Sequence, residues 1–194
     1  MRRMMLGGLA LLAGALGCEE RHLRGVVGIP GGDGSATVQV LVVDDPAGAE
    51  PVVSGGARPT IAIRFSTELL RTGLSAGVPD TGTLVAQAGI GLTGDLVATT
   101  DSVPAASYET IRLTLTEATL ALAGVPPVDL LEGAPSLSIT RDVTRVVDDG
   151  ELITIRVDLN SDAWLVPNPI VGTQPEFLFT GTIDFLTAIE ISLP

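Results

Sequence analysis

The chain has 194 residues, of which 45% are hydrophobic and only 3% aromatic, so its core has to be built from aliphatic side chains. Its 23 acidic residues outweigh 11 basic residues, all of them arginine, and the formal net charge is −12. This balance argues against nucleic-acid binding and against electrostatic docking on anionic lipid headgroups, because both need clustered positive charge.

Cysteine and histidine occur once each, at Cys18 and His22, and both lie near the N-terminus. A domain formed by the residues that follow therefore holds neither a thiol nor an imidazole. Thiol catalysis, Ser-His-Asp chemistry and zinc sites with His or Cys ligands are excluded for such a domain. Any catalysis by such a domain would have to use carboxylates, arginines, hydroxyls, Tyr108 or a metal ion bound by oxygen ligands. We expect no enzyme activity, no catalytic residue and no cofactor.

Residues 1–17 have the composition of a secretory signal peptide. Arg2 and Arg3 precede an apolar run of about 14 residues, which is shorter than the roughly 20 residues that a transmembrane helix needs. Cys18 follows this run directly after a small residue, which resembles the lipobox of bacterial lipoproteins, although Ala15 stands where that family prefers leucine. Plain secretion and a retained membrane anchor are the alternatives.

The lipobox resemblance implies that Cys18 is lipidated and becomes the first residue of the mature chain. It places the protein in the bacterial cell envelope, extracytoplasmic and held on a membrane by its lipid. Residues 18–35 are rich in glycine and polar residues, which indicates a flexible tether after the lipidated cysteine. Residues 36–194 then remain as a single domain.

Apolar and polar residues alternate over most of residues 36–194, which predicts β-strands with one buried face. The alternating apolar sets are Val38, Val40, Val42; Ile61, Ile63, Phe65; Leu84, Ala86, Ala88, Ile90, Leu92; Ile111, Leu113, Leu115; Leu137, Ile139, Val143; Ile153, Ile155, Val157, Leu159; and Phe177, Phe179, Gly181, Ile183, Phe185, Ile189, Ile191, Leu193. Turn residues separate these sets at short intervals. The pattern predicts an all-β fold with little helix, an antiparallel β-sandwich or barrel of about seven to nine strands.

Four local features carry more specific predictions. The apolar positions between Ser107 and Leu122 change phase near Thr116-Glu117, which predicts a β-bulge or a strand break there. Asp149-Gly150 lies between two strand-like segments and predicts a hairpin. Thr67–Ser75 is the best candidate for a short helix. Trp164, the only tryptophan, is expected to close one end of the sandwich rather than to form an exposed sugar platform.

Asp158, Asn160 and Asp162 place oxygen ligands at alternate positions, a spacing that calcium-binding loops use. However, Ala163-Trp164 follow where an EF-hand loop has glycine, and no glutamate completes the loop. A strand that ends in a polar turn is the alternative interpretation. We predict no metal site and keep these three residues as the candidates.

Other acidic residues give no specific signal. With 23 acids in the chain, some pair always suits a two-carboxylate glycosidase, so no pair indicates one. The pairs Asp44-Asp45 and Asp148-Asp149 lie in turn sequences, where acidic side chains are usually solvated.

Two segments suggest a family. Residues 36–46, Ala-Thr-Val-Gln-Val-Leu-Val-Val-Asp-Asp-Pro, resemble the opening strand and turn of a set of bacterial lipoprotein domains of unknown function. Residues 104–113 resemble their Pro-Ala-Gly-x-Tyr-x-x-Ile-Arg-Leu strand, with Ala106 in place of the glycine, and residues 150–164 resemble their later strand and polar turn. The resemblance implies a transthyretin-like or immunoglobulin-like sandwich and supplies no activity, ligand or catalytic residue.

The sequence thus predicts a lipid-anchored, extracytoplasmic β-sandwich that serves as a non-catalytic binding or structural module of the cell envelope. Its expected partners are the membrane, reached through the lipid, and an envelope protein or glycan, but no nucleic acid. The alternatives are a calcium- or glycan-binding module and a hydrolase that works with carboxylates alone.

Overall fold

A computed structural model of the protein describes residues 34–44, 59–71, 74–78, 83–87, 95–170, 172–173 and 175–194. The strands in these ranges are β1 (Ser35–Val43), β2 (Thr60–Arg71), β3 (Leu74–Val78), β4 (Thr83–Gln87), β5 (Asp95–Pro104), β6 (Ser107–Ala121), β7 (Val128–Asp129), β8 (Leu137–Val146), β9 (Leu152–Asp158), β10 (Leu165–Pro167), β11 (Phe177–Phe179) and β12 (Glu190–Ser192). A short 3-10 helix (Ser161–Ala163) and one α-helix, α1 (Thr182–Ala188), complete the described elements.

These strands form a four-stranded sheet, a six-stranded sheet and a two-stranded ribbon of β10 and β11. The predicted all-β, sandwich-like fold with little helix is confirmed. The two larger sheets together hold slightly more strands than the expected number of about seven to nine.

The four-stranded sheet has the order β12-β9-β1-β5. Its central strand β1 pairs antiparallel with β5 and parallel with β9, so the sandwich is not purely antiparallel. Strand β9 follows β8 in the chain, but β8 belongs to the other sheet. The turn at Asp149-Gly150 therefore crosses between the sheets, and the predicted hairpin is wrong. The left-handed backbone of Gly150 (φ 76°) makes the sharp turn, and its N–H bonds to Ser35 on β1.

In the six-stranded sheet, β2 pairs with β6 on one side and with β3 and β4 on the other, while β6 also pairs with β7 and β8. The predicted bulge is confirmed, because Arg64 pairs with Glu117 whereas Phe65 pairs with Leu115, which leaves Thr116 as the extra residue. Thr116 and Glu117 are both exposed, while Leu115 and Ala118 on either side are buried. One inserted residue thus keeps both halves of β6 facing the core.

The short helix expected at Thr67–Ser75 is wrong. Strand β2 continues to Arg71, and β3 begins at Leu74 and pairs back onto it. Within β2, Thr67 and Leu69 are buried and their neighbours are less so, which is the period of a strand. Pairing with β6 along this whole stretch outweighs the local preference of its Glu-Leu-Leu segment for a helix.

The continuous alternation expected after Phe177 is also wrong. Strand β11 ends at Phe179, and α1 occupies the next stretch. Phe185 is fully buried on α1, but Ile183, which has the same parity, is 80% exposed. Phe185 and Ile189 are four residues apart, a spacing that fits one face of a helix as well as it fits one face of a strand.

One hydrophobic core lies between the two larger sheets. Its buried members from β1 and β9 include Val38, Val40, Val42, Ile153, Ile155 and Val157, and those from β2 and β6 include Ile61, Ile63, Phe65, Ile111, Leu113 and Leu115. The predicted parity of these four strands is confirmed. The set that begins at Leu84 coincides with β4, but its side chains, and residues 88–92, lie outside the described residues.

Candidate functional site

The polar residues that sequence reasoning singled out gather at the two ends of β1. Because β1 and β9 are parallel, their C-terminal ends meet at one end of the four-stranded sheet, next to the 3-10 helix. Their N-terminal ends meet at the opposite end, beside the turn that crosses from β8 to β9. We call these the Asp44 end and the Ser35 end.

At the Asp44 end, a buried carboxylate closes strand β1. Asp44 has no exposed surface, and its Oδ1 accepts a 2.8 Å hydrogen bond from the Ser161 backbone N–H. Its Oδ2 accepts a 2.6 Å bond from the Ser161 hydroxyl. The expectation of a solvated side chain is thus wrong for Asp44, while Asp45 lies outside the described residues. The sequence contains no signal for this contact, which joins residues 117 positions apart.

The three candidate calcium ligands follow β9 at the same end. Asp158 accepts hydrogen bonds from Arg156 at 3.1 Å and from the Asn160 backbone N–H at 3.3 Å. The Asn160 side-chain amide donates to the Ala188 carbonyl at 2.7 Å, and the Asn160 backbone is left-handed, with φ 45°. Asp162 is exposed in the 3-10 helix. These contacts build a polar turn in which side chains bond to the main chain.

Among the residues that the structure describes, no three acidic, Cys or His side chains are grouped so that they could hold a metal ion. The contacts of Asp158 and Asn160 support the interpretation of this segment as a strand that ends in a polar turn. The turn leads directly into Trp164, which is fully buried.

Trp164 closes the Asp44 end of the core. Its ring packs edge-to-face on Phe185 at 5.1 Å and on Phe179 at 6.2 Å between ring centroids. Its indole N–H donates to the Leu159 carbonyl at 2.9 Å, which satisfies the one polar atom of a buried tryptophan. Trp164 is therefore a core residue, as predicted, and not an exposed platform for a sugar.

At the Ser35 end, the first residues of β1 are bonded to the crossover turn. The Ser35 N–H donates to Asp149 Oδ1 at 3.0 Å, and the Gly150 N–H donates to the Ser35 carbonyl at 2.8 Å. The Thr37 N–H donates to the Glu151 carbonyl at 2.8 Å, and the Gly34 carbonyl accepts from the backbone N–H of residue 105 at 2.9 Å. Sequence reasoning placed Asp149 in a solvated turn and missed this role.

Glu151 holds the crossover turn together. Its Oε2 accepts a 2.9 Å hydrogen bond from the Asp148 backbone N–H, and its Oε1 forms an ion pair with Arg145 at 2.5 Å. The Asp148 bond lowers the pKa of Glu151 below its ordinary value and is the largest effect; burial opposes it, and the smaller contributions of the hydrogen bond and charge of Arg145 act with Asp148. The ionised side chain of Glu151 therefore links β8 in one sheet to β9 in the other.

Tyr108 stabilises another crossing between the sheets, the one from β5 to β6. Its ring is fully buried, and its hydroxyl donates to the Pro104 carbonyl at 2.7 Å, the geometry of a tyrosine corner. Burial raises the pKa of this hydroxyl, and the charge of Arg71 partly opposes that. The segment that resembles the lipoprotein strand motif at residues 104–113 thus has a structural role here.

Cys18 and residues 1–17 lie outside the described residues. In the part of the chain that the structure covers, no helix has the length and apolar character needed to span a bilayer. No family model matches this chain, and searches of curated proteins and of solved structures find no significant match.

Proposed function

We propose that the protein is a lipid-anchored, extracytoplasmic β-sandwich that acts as a non-catalytic binding or structural module of a bacterial cell envelope. One observation carries this proposal: the only cysteine, Cys18, stands directly after a short apolar run that two arginines precede. The first strand of the domain begins at Ser35, which leaves residues 18–34 between the proposed lipid and the fold.

The free energy gained by burying the acyl chains of a lipidated Cys18 is large enough to hold the protein on a membrane. Each buried methylene contributes about 0.8 kcal/mol, so a single acyl chain binds a bilayer reversibly, while two or more hold a protein there stably. Electrostatic attraction cannot replace the lipid, because a chain with net charge −12 is repelled by anionic headgroups.

The contacts of the acidic residues support a non-catalytic role. Asp44 and Asp149 accept backbone N–H groups at the two ends of β1. Asp129 does the same in the loop after β7, where it accepts bonds from the N–H groups of Leu131 at 2.9 Å and Gly133 at 2.7 Å. Carboxylates held in this way stabilise turns, which is the task of a scaffold.

The test is Cys18→Ser in the full chain, expressed in a bacterium that is fed a labelled fatty acid. We expect the variant to lose acyl labelling and to leave the membrane fraction, because the hydroxyl of serine does not replace the thiol as the lipidation site. The matched control is Cys18→Ser combined with His22→Cys, which returns a thiol four residues later and should not restore labelling. Membrane retention of Cys18→Ser equal to that of the wild type would contradict the proposal.

A further inference from the structure

The side chain of Asp149 holds the start of β1, in addition to the main-chain hydrogen bonds of the crossover turn. This side chain lies over Gly34, where an added Cβ would come within 2.6 Å of the Asp149 Cγ atom. Only glycine at position 34 leaves room for the carboxylate to reach the Ser35 N–H. Asp149, Gly150, Gly34 and Ser35 thus form an interlocked contact between chain segments 114 residues apart, which we name the β1 clasp.

The position of β1 determines which bonds carry a force applied at its start. Strand β1 lies between β9 and β5 and pairs with β9 over its whole length from Thr37 to Val43. A pull on Gly34 acts along the axis of β1, across ladders whose hydrogen bonds run between the strands, so these bonds are sheared. The hydrogen bonds of Ser35 carry this force first, because they lie nearest to the point where it is applied.

The opposite end of β1 is fixed as well. Asp44 is bonded to Ser161 through both carboxylate oxygens, and the Leu159 N–H donates to the Val43 carbonyl at 3.0 Å. A strand held at both ends cannot slide along its neighbours until both attachments have broken. Under a pull from the N-terminal side, the attachment that must break first is the β1 clasp.

We propose that the β1 clasp is a mechanical lock that keeps β1 in its sheet when the chain is pulled from its N-terminal side. This inference rests on the proposed function, because a lipid on Cys18 is what would transmit force from a membrane into residues 18–34. The clasp spreads that force over the ladders with β5 and β9, instead of letting Ser35 and its neighbours peel away one bond at a time.

The experiment is force-clamp spectroscopy on the full, unlipidated chain. Cys18 is the only thiol and serves as one attachment point. The second is Ile170→Cys, at a 64% exposed position shortly after β10 in the chain. Force then enters the described fold at Gly34, the start of β1, and the readout is the unfolding rate at constant force.

We expect Asp149→Ala to unfold about tenfold faster, or more, than the wild type at the same force, because a hydrogen bond to a charged acceptor is lost where the force enters. Gly34→Ala should behave in the same way, since its methyl group displaces the carboxylate. Asp149→Asn keeps an acceptor oxygen and should stay close to the wild type. The matched control is Asp148→Ala, since Asp148 contributes its backbone N–H to the turn and the substitution keeps that group.

Two outcomes would overturn the proposal. One is an Asp149→Ala unfolding rate equal to that of the wild type under force. The other is an equally large acceleration in denaturant without force, which would make the clasp an ordinary stability contact. Neither outcome bears on acyl labelling of Cys18, so failure of the clasp and failure of the proposed anchor are distinguishable.

Discussion

At the scale of single residues, carboxylates that accept main-chain N–H groups determine how the ends of β1 are held. Asp44 is the clearest case, because an ionisable side chain without exposed surface is rare in proteins unless it is well bonded. Both of its oxygens accept bonds from Ser161, one from the main chain and one from the hydroxyl. The contact joins the end of β1 to the segment that follows β9, next to the buried Trp164.

We predict that Asp44→Ala lowers the free energy of unfolding by about 2–4 kcal/mol, because the substitution removes the acceptor of two hydrogen bonds from the buried Ser161. The measurement is urea denaturation followed by the fluorescence of Trp164, the only tryptophan. Asp142→Asn, which changes an exposed acid on β8, is the control and should stay within about 0.5 kcal/mol of the wild type. An Asp44→Ala loss as small as that of the control would mean that water replaces the carboxylate without penalty.

At the scale of strands and helices, the period of apolar residues predicted β1, β2, β6 and β9 correctly but failed where α1 lies, and it did not predict which strands pair. The phase change near Thr116 could be read from the sequence, because a single inserted residue moves every later side chain to the other face. The hairpin predicted at Asp149-Gly150 was wrong for a physical reason. This dipeptide forms a sharp turn with a left-handed glycine, and such a turn occurs both in hairpins and where a chain crosses between sheets. Which strand pairs with which depends on contacts between distant segments.

The candidate site was less predictable than the fold. Asp158 and Asn160 could be found by their spacing, but their partners, Arg156 and the Ala188 carbonyl, decide what they do. Asp44 and Asp149 gave no signal, because an aspartate beside a turn has the same sequence whether water or a distant N–H group binds it. Long-range hydrogen bonds leave no local pattern from which they could be inferred.

The edge strand β8 shows how one element is protected from unwanted pairing. Among the described strands it pairs on one side only, with β6. Arg141 and Arg145 share the parity of the buried Ile139, so two charged side chains lie on its inner face. The Arg141 guanidinium donates to the Ile189 carbonyl at 3.2 Å, and Arg145 pairs with Glu151. Charges on the inner face of an edge strand oppose edge-to-edge aggregation.

Strand β9 offers a direct test of parity. We predict that Ile155→Ala lowers the free energy of unfolding by about 2–5 kcal/mol, because Ile155 has no exposed surface and its loss leaves a cavity in the core. Arg156→Ala should cost less than about 1 kcal/mol, since its side chain is 39% exposed and water therefore screens its ion pair with the more buried Asp158. Urea denaturation of both variants measures the contrast. Equal losses would mean that both faces of β9 are covered.

At the scale of the whole molecule, two of the crossings between the sheets lie wholly within the described residues, and each depends on a side chain bonded to the main chain. Tyr108 holds the crossing from β5 to β6 through the Pro104 carbonyl. Glu151 holds the crossing from β8 to β9 through the Asp148 N–H and Arg145. Tyr108 acts as a neutral hydroxyl and Glu151 as an anion, so the two crossings respond to pH at opposite ends of the scale.

The crossing at Glu151 makes the stability of the domain depend on acid pH. The pKa of Glu151 is lower in the folded protein than in the unfolded chain, chiefly because the Asp148 N–H bonds to the ionised form. In the window between these two pKa values the unfolded state binds more protons, so the free energy of unfolding rises with pH there. The contribution is complete above the unfolded value, near 4.3, and is lost as pH falls through the folded pKa.

We therefore predict that Glu151→Gln is less stable than the wild type at pH 7 and that the difference shrinks as pH falls below about 4, since the wild-type side chain then loses the charge that the variant lacks. Urea denaturation from pH 7 to pH 3 measures this difference. Asp142→Asn, on the exposed face of β8, should show a small and nearly constant difference over the same range. A Glu151→Gln deficit that stayed unchanged down to pH 3 would mean that the shape of the side chain, and not its charge, holds the two sheets together at this crossing.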